Sequence, residues 1–216
     1  MERANQLSYR LLNSAQPFGR LVSHWLHQLA VPPARVVAKT GVSPNVLTIL
    51  GFFLNGGVAY LISEGHFALG GALVLFAGVF DLLDGAVART TGKVSKFGAL
   101  LDSTLDRYSE ALLLFGLVIY FVRANANTEV ILLFAAIVGS MLVSYVRARA
   151  EGLELDGEVG IMRRTVRICT LAVGLMSHQV LIALWLLAVL SNLTAGQRLF
   201  YVWQKTHKVP DNTSEL

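Results

Sequence analysis

Apolar residues run along this chain in long blocks, separated by short clusters of glycine, proline and charge. The blocks predict helices over 44–63, 67–90, 97–122, 129–150, 164–177 and 179–204. All but the fifth approach or exceed the ~20 residues that cross a hydrocarbon core ~30 Å thick. The expected fold is therefore all-α and integral to the membrane, with six transmembrane helices. Ahead of them Leu7, Leu11, Leu12, Phe18, Leu21, Val22, Trp25, Leu26 and Leu29 recur near helical spacing, with Arg10 and Arg20 between them. That pattern predicts an amphipathic helix lying in the membrane interface. The domain plan is an N-terminal interfacial helix over 1–40, a six-helix membrane domain over 41–205 and a disordered tail over 206–216. Ser43, Pro44 and Asn45 supply the turn and helix start at the opening of the membrane domain.

Composition agrees with the pattern. Of 216 residues 54% are hydrophobic and 15% charged, against ~25% charged in soluble domains, and mean hydropathy is +0.57. A net charge of +4 could suggest a nucleic-acid partner in a soluble protein. Here Arg35, Lys39, Lys93, Lys96, Arg149, Arg163, Arg164, Lys205 and Lys208 all fall on one side of the predicted spans, so the charge reports topology. The positive-inside rule puts both termini and these basic loops in the cytoplasm. The lone Cys169 excludes a disulfide within the chain.

The chemistry lies where the second and third blocks meet. Asp81 and Asp84, three apart, are followed across a basic loop by Asp102 and Asp106, four apart. Each pair shares a helix face, so two antiparallel helices can direct all four carboxylates into one pocket. An ionised aspartate at a span centre costs at least ~2.5 kcal/mol, and Arg89 and Arg107 cannot neutralise four of them. An all-oxygen set suits hard divalent cations, and a pair of these, Mg²⁺ or Mn²⁺, is the usual clamp for a transferring phosphoryl group. Gly85, Ala88 and Gly98 remove side-chain bulk where a nucleotide or pyrophosphate could approach, and Arg89 can donate two bonds to a phosphate. Paired carboxylates also serve ion-coupled membrane transporters, the alternative of another class, against which the glycine and arginine spacing argues.

From Asp84 to Asp106 the spacing reads D-G-x2-A-R-x8-G-x3-D-x3-D, and it resembles the signature of the CDP-alcohol phosphotransferase family at every specified position. The resemblance implies that Asp81, Asp84, Asp102 and Asp106 ligate two divalent cations, and that Asp84, Gly85, Ala88, Arg89 and Gly98 meet the CDP moiety. It implies that Asp106 is also the general base, and that the phosphatidyl group of CDP-diacylglycerol passes to an alcohol as CMP leaves. A homodimer and a bacterial inner-membrane location with a cytoplasmic active site are further implications.

Arg147, Arg167 and Arg198 fall at the same ends of three separate spans. Converging, they would form an anion site suited to a phosphorylated polyol. The placement resembles that of phosphatidylinositol phosphate synthases, which implies inositol phosphate as acceptor. Glycerol 3-phosphate, the acceptor of phosphatidylglycerophosphate synthase, is the alternative. Arg147 stands where that subfamily has lysine, and Arg163-Arg164-Thr165-Val166-Arg167 keeps two arginines of its Glu-Arg-Pro-Glu-Arg element without the acids and proline.

Overall fold

The computed structural model describes residues 32–34, 37–38, 41–155 and 159–208. Six helices of 13 to 29 residues follow one another: α1 (Pro44–Ser63), α2 (Phe67–Thr90), α3 (Lys96–Arg123), α4 (Asn127–Glu151), α5 (Arg164–Met176) and α6 (Val180–Lys208). Among the described residues there is no strand. The interfacial helix expected near the N-terminus lies almost wholly outside the described residues, as does the tail beyond residue 208. Residues 206–208, expected in the tail, instead complete α6.

Local sequence explains the helix boundaries. Pro44 opens α1 beneath Ser43, whose Oγ accepts the Val46 amide at 3.4 Å. Ser95 caps α3 in the same way, accepting the Gly98 amide at 2.9 Å. The helices end on a residue in the left-handed region: Gly65 closes α1, Gly92 closes α2 and Asn125 closes α3. At each, the following amide reaches back to the last helical turn, as His66 does to the Leu61 carbonyl at 3.0 Å and Lys93 to that of Ala88 at 3.0 Å. These turns make the connections short and the neighbouring helices antiparallel.

Backbone packing traces a closed ring in which α1 touches α3, α3 touches α4, α4 touches α6, α6 touches α5, α5 touches α2 and α2 returns to α1. Ile62, Val74, Leu113, Leu117, Leu133, Leu171, Leu175 and Leu184 fill its interior. Small residues let backbones approach: a Cβ on Gly116 would stand 2.4 Å from the Ala59 carbonyl oxygen. The outside is apolar too, with Phe53, Ile131, Phe134 and Trp185 exposed, as lipid contact requires.

Four of the six helices, α1, α2, α4 and α6, are long and apolar enough to cross a membrane by themselves. α5 has 13 residues, and α3 carries Lys96, Asp102, Asp106, Arg107 and Glu110 between its start and its middle. Charge on α3 and shortness of α5 are what set these two apart, and both features belong to the site.

Candidate active site

At the end of the ring that gathers the α2–α3 turn and the start of α5, two helices supply the acids. Asp81 and Asp84 lie in the last three turns of α2, and Asp102 and Asp106 in the first three turns of α3. The four are close enough to act on one another electrostatically: Asp84 feels Asp81 and Asp102, and Asp106 feels Asp81 and Asp102. Asp84 is buried. Its Oδ2 accepts the Thr48 hydroxyl from α1 at 2.7 Å, and its Oδ1 accepts the Gly85 amide at 2.5 Å. Thr48 itself sits one turn above the Pro44 carbonyl, 3.1 Å from its Oγ1, so the start of α1 holds the orientation of Asp84.

Gly51 on α1 faces Asp81. A Cβ there would stand 3.2 Å from the Asp81 Oδ1, so the glycine is what leaves the carboxylate room. Gly98 plays a comparable part at the start of α3, where a Cβ would meet the Asn45 Oδ1 at 3.0 Å. Gly85 lies beside the Arg89 guanidinium, 3.4 Å from where its Cβ would be, and Arg89 is exposed at the mouth of the turn. Ala88 is partly buried on the same helix.

The cation that meets the acids is Arg164, the first residue of α5. Its Nη2 stands 2.7 Å from Asp81 Oδ2 and 2.8 Å from Asp106 Oδ1, joining α2 to α3. In the sequence Arg164 belongs to the same basic cluster as Arg167, and it is Arg164 that the fold brings to the acids. The two are one helical turn apart, and only the position of α5 relative to α3 decides between them.

Arg167 lies deeper, 2% exposed, and is fully engaged. Its Nε and Nη2 donate to Glu110 Oε1 and Oε2 at 2.6 and 2.7 Å, its Nη1 to the Met162 carbonyl at 2.9 Å, and Ser140 adds a bond to Glu110 at 2.8 Å. Arg198, also buried, donates to the Val159 carbonyl and the Val143 carbonyl, each at 2.7 Å. Arg147 pairs with Glu151 at 2.7 Å one turn along α4. Arg167 and Arg198 thus spend donors on Glu110 and on backbone carbonyls, and Arg147 on Glu151. A guanidinium taken out of water must spend its donors, and here Glu110 and the Met162, Val159 and Val143 carbonyls take them.

A divalent metal suits this donor set. Among the described residues no three acidic, histidine or cysteine side chains already converge as a finished cage. Two of the carboxylates instead converge on the Arg164 guanidinium, a cation standing in where a harder one would bind. Oxygen donors from two helices around a positive group fit Mg²⁺ or Mn²⁺.

Comparison with known proteins extends the same features over most of the chain. An archaetidylinositol phosphate synthase of Pyrococcus horikoshii is 39% identical over 169 residues, covering 77% of this chain and 86% of the relative. A phosphatidylinositol phosphate synthase of Mycobacterium tuberculosis is 34% identical over 187 residues, covering 82% and 86%. The crystal structure of the Mycobacterium tuberculosis enzyme with CDP-DAG bound superposes with a TM-score of 0.76 at 34% identity, over 82% of this chain and 94% of that one. A second crystal structure of it, in complex with manganese and citrate, gives the same TM-score over 81% and 88%. Residues 41–203, which contain all four aspartates, α1 to α5 and most of α6, match the family defined as CDP-alcohol phosphatidyltransferase, and the chain belongs to that family of membrane enzymes.

Proposed function

We propose that this enzyme transfers the phosphatidyl-type group of a CDP-linked lipid to a phosphorylated polyol, inositol phosphate first, and releases CMP. The observation that carries the reading is the four-aspartate cluster on α2 and α3, closed from α5 by Arg164. Asp81, Asp84, Asp102 and Asp106 would hold two divalent cations. When bound, these would offset negative charge on the pyrophosphate as the transition state forms.

The chain's own groups do the rest. Asp84, Gly85, Ala88, Arg89 and Gly98 line the approach for the CDP moiety, the glycines admitting it and Arg89 donating to its phosphates. Asp106 takes the proton of the acceptor hydroxyl as that oxygen attacks the β-phosphorus, and the bond from the β-phosphorus to CMP breaks. Arg147 and Arg164 are the guanidinium groups on the acceptor side, while Arg167 and Arg198 hold its walls in place. Both relatives named above make a lipid inositol phosphate by name, one on an archaetidyl and one on a phosphatidyl lipid, which supports the acceptor more than the donor.

The six helices would all cross a bacterial inner membrane, α3 and α5 shielded by their neighbours, with the acids facing the cytoplasm and the chain paired as a homodimer. The test is CMP release by purified protein given CDP-diacylglycerol with inositol phosphate, glycerol 3-phosphate, inositol or serine in turn. Inositol phosphate should be preferred. Preference for inositol or serine over both phosphorylated acceptors would overturn the proposed acceptor class.

A further inference from the structure

We infer that Arg164 is the resident counter-cation of the aspartate cluster and that it yields its place to the divalent ion, so that ion binding is coupled to release of this guanidinium. The inference rests on the proposed reading of the aspartates as metal ligands. One nitrogen, Nη2, serves both Asp81 and Asp106, at 2.7 and 2.8 Å. A Mg²⁺ ion bound to the same two oxygens would lie ~2.0–2.1 Å from each, inside the space that nitrogen fills. The two cations exclude each other sterically and repel electrostatically.

Arg164 is also held in a way that allows departure. Its Nε is buried and has no hydrogen-bond partner among the described residues, so the posture leaves one donor unsatisfied and depends on the two carboxylates. Arg167, one turn along, has Nε, Nη1 and Nη2 all engaged. The two arginines of one helix face therefore differ in kind, one clamped and one latched. Arg164 is rooted at the first position of α5, beside the irregular segment that precedes it, and its side chain keeps a third of its surface exposed, so a path outward exists. The latch keeps like charges on α2 and α3 from repelling before an ion arrives, and it lowers the ion's apparent affinity by competition.

Binding of Mn²⁺ alone, without lipid or acceptor, tests this. The loss of free Mn²⁺ signal in electron paramagnetic resonance is titrated against the wild-type protein, Arg164→Gln and Arg164→Lys in nanodiscs. Removing the competing charge should tighten Mn²⁺ binding by about tenfold or more in Arg164→Gln, with Arg164→Lys between it and wild type. Wild-type binding with no gain in Arg164→Gln would overturn the competition while leaving the ligand assignment standing. No Mn²⁺ binding by either protein would overturn the ligand assignment, and the inference with it. Should Arg164→Gln fail to fold, the wild type supplies the reading by mass spectrometry of phenylglyoxal adducts. Arg164 should be modified several-fold faster with Mn²⁺ than without, and equal rates would overturn the release.

Discussion

Glu110 and Arg167 form a two-point ion pair in the middle of the helix ring, Nε to Oε1 at 2.6 Å and Nη2 to Oε2 at 2.7 Å, with 5% and 2% of the residues exposed. Glu110 lies one turn beyond Asp106 on α3, and Arg167 one turn beyond Arg164 on α5. The pair therefore sets the register between the helix that carries two of the acids and the helix that carries the latch. Breaking it should be costly. Glu110→Ala leaves a buried guanidinium without its partner and is expected to destabilise by about 3–5 kcal/mol. Replacing both residues by Leu and Met should cost less than either single change, as read from a double-mutant cycle in thermal or denaturant unfolding. Additive losses would show that the two side chains act separately.

Thr48 holds Asp84 from a neighbouring helix. Thr48→Val keeps the shape and removes the hydroxyl bond to Asp84. Loss of such an outer partner typically weakens metal affinity by about 10–100-fold, whereas Thr48→Ser should stay near wild type. A Mn²⁺ titration compares the three proteins, and unchanged affinity in Thr48→Val would remove Thr48 from the site.

Asp106→Asn separates chemistry from folding. The amide keeps the size of the carboxylate but cannot take a proton, so CMP release should fall by about 10²–10⁴-fold or more while the protein elutes as the wild type does in size-exclusion chromatography. Retained CMP release in this variant would end the base assignment.

Gly51→Ala probes the room beside Asp81. The added methyl would sit 3.2 Å from the Asp81 Oδ1, close enough to push the carboxylate without striking backbone. The expected result is a raised divalent-ion requirement for CMP release with little change in melting temperature. Gly116→Ala is the contrast: its methyl would meet the Ala59 carbonyl, so stability should drop by about 1–3 kcal/mol wherever the site stands.

Much of the fold was legible in the chain because membrane helices must satisfy their own backbone, which leaves long apolar runs between breakers such as Pro44, Gly65 and Gly92. The expected 44–63 and 67–90 are the observed α1 and α2, and the others shift by a few residues at their ends. The four aspartates were legible for a related reason: acids inside spans are rare enough to be informative. Glu110 carries the same signal, an acid one turn past Asp106, although it lies outside the spaced pattern. Which arginine reaches the acids was not legible. Arg164 and Arg167 share one face of α5, and their different partners follow from where α5 stands across the ring from α3, a tertiary relation that no spacing encodes. Thr48, a lone hydroxyl, carried no signal of its own.

The brevity of α5 has a consequence for where water must be. Thirteen residues rise about 20 Å, against a hydrocarbon thickness of about 30 Å. If the far end of α5 is level with the opposite boundary, its Arg164 end stops roughly 10 Å beneath the near one. The aspartates would then stand at the floor of a hydrated bay sunk into the leaflet. A lipid donor would bring its phosphates down to that floor while its tails remain beside the bundle, and a soluble acceptor would descend from above.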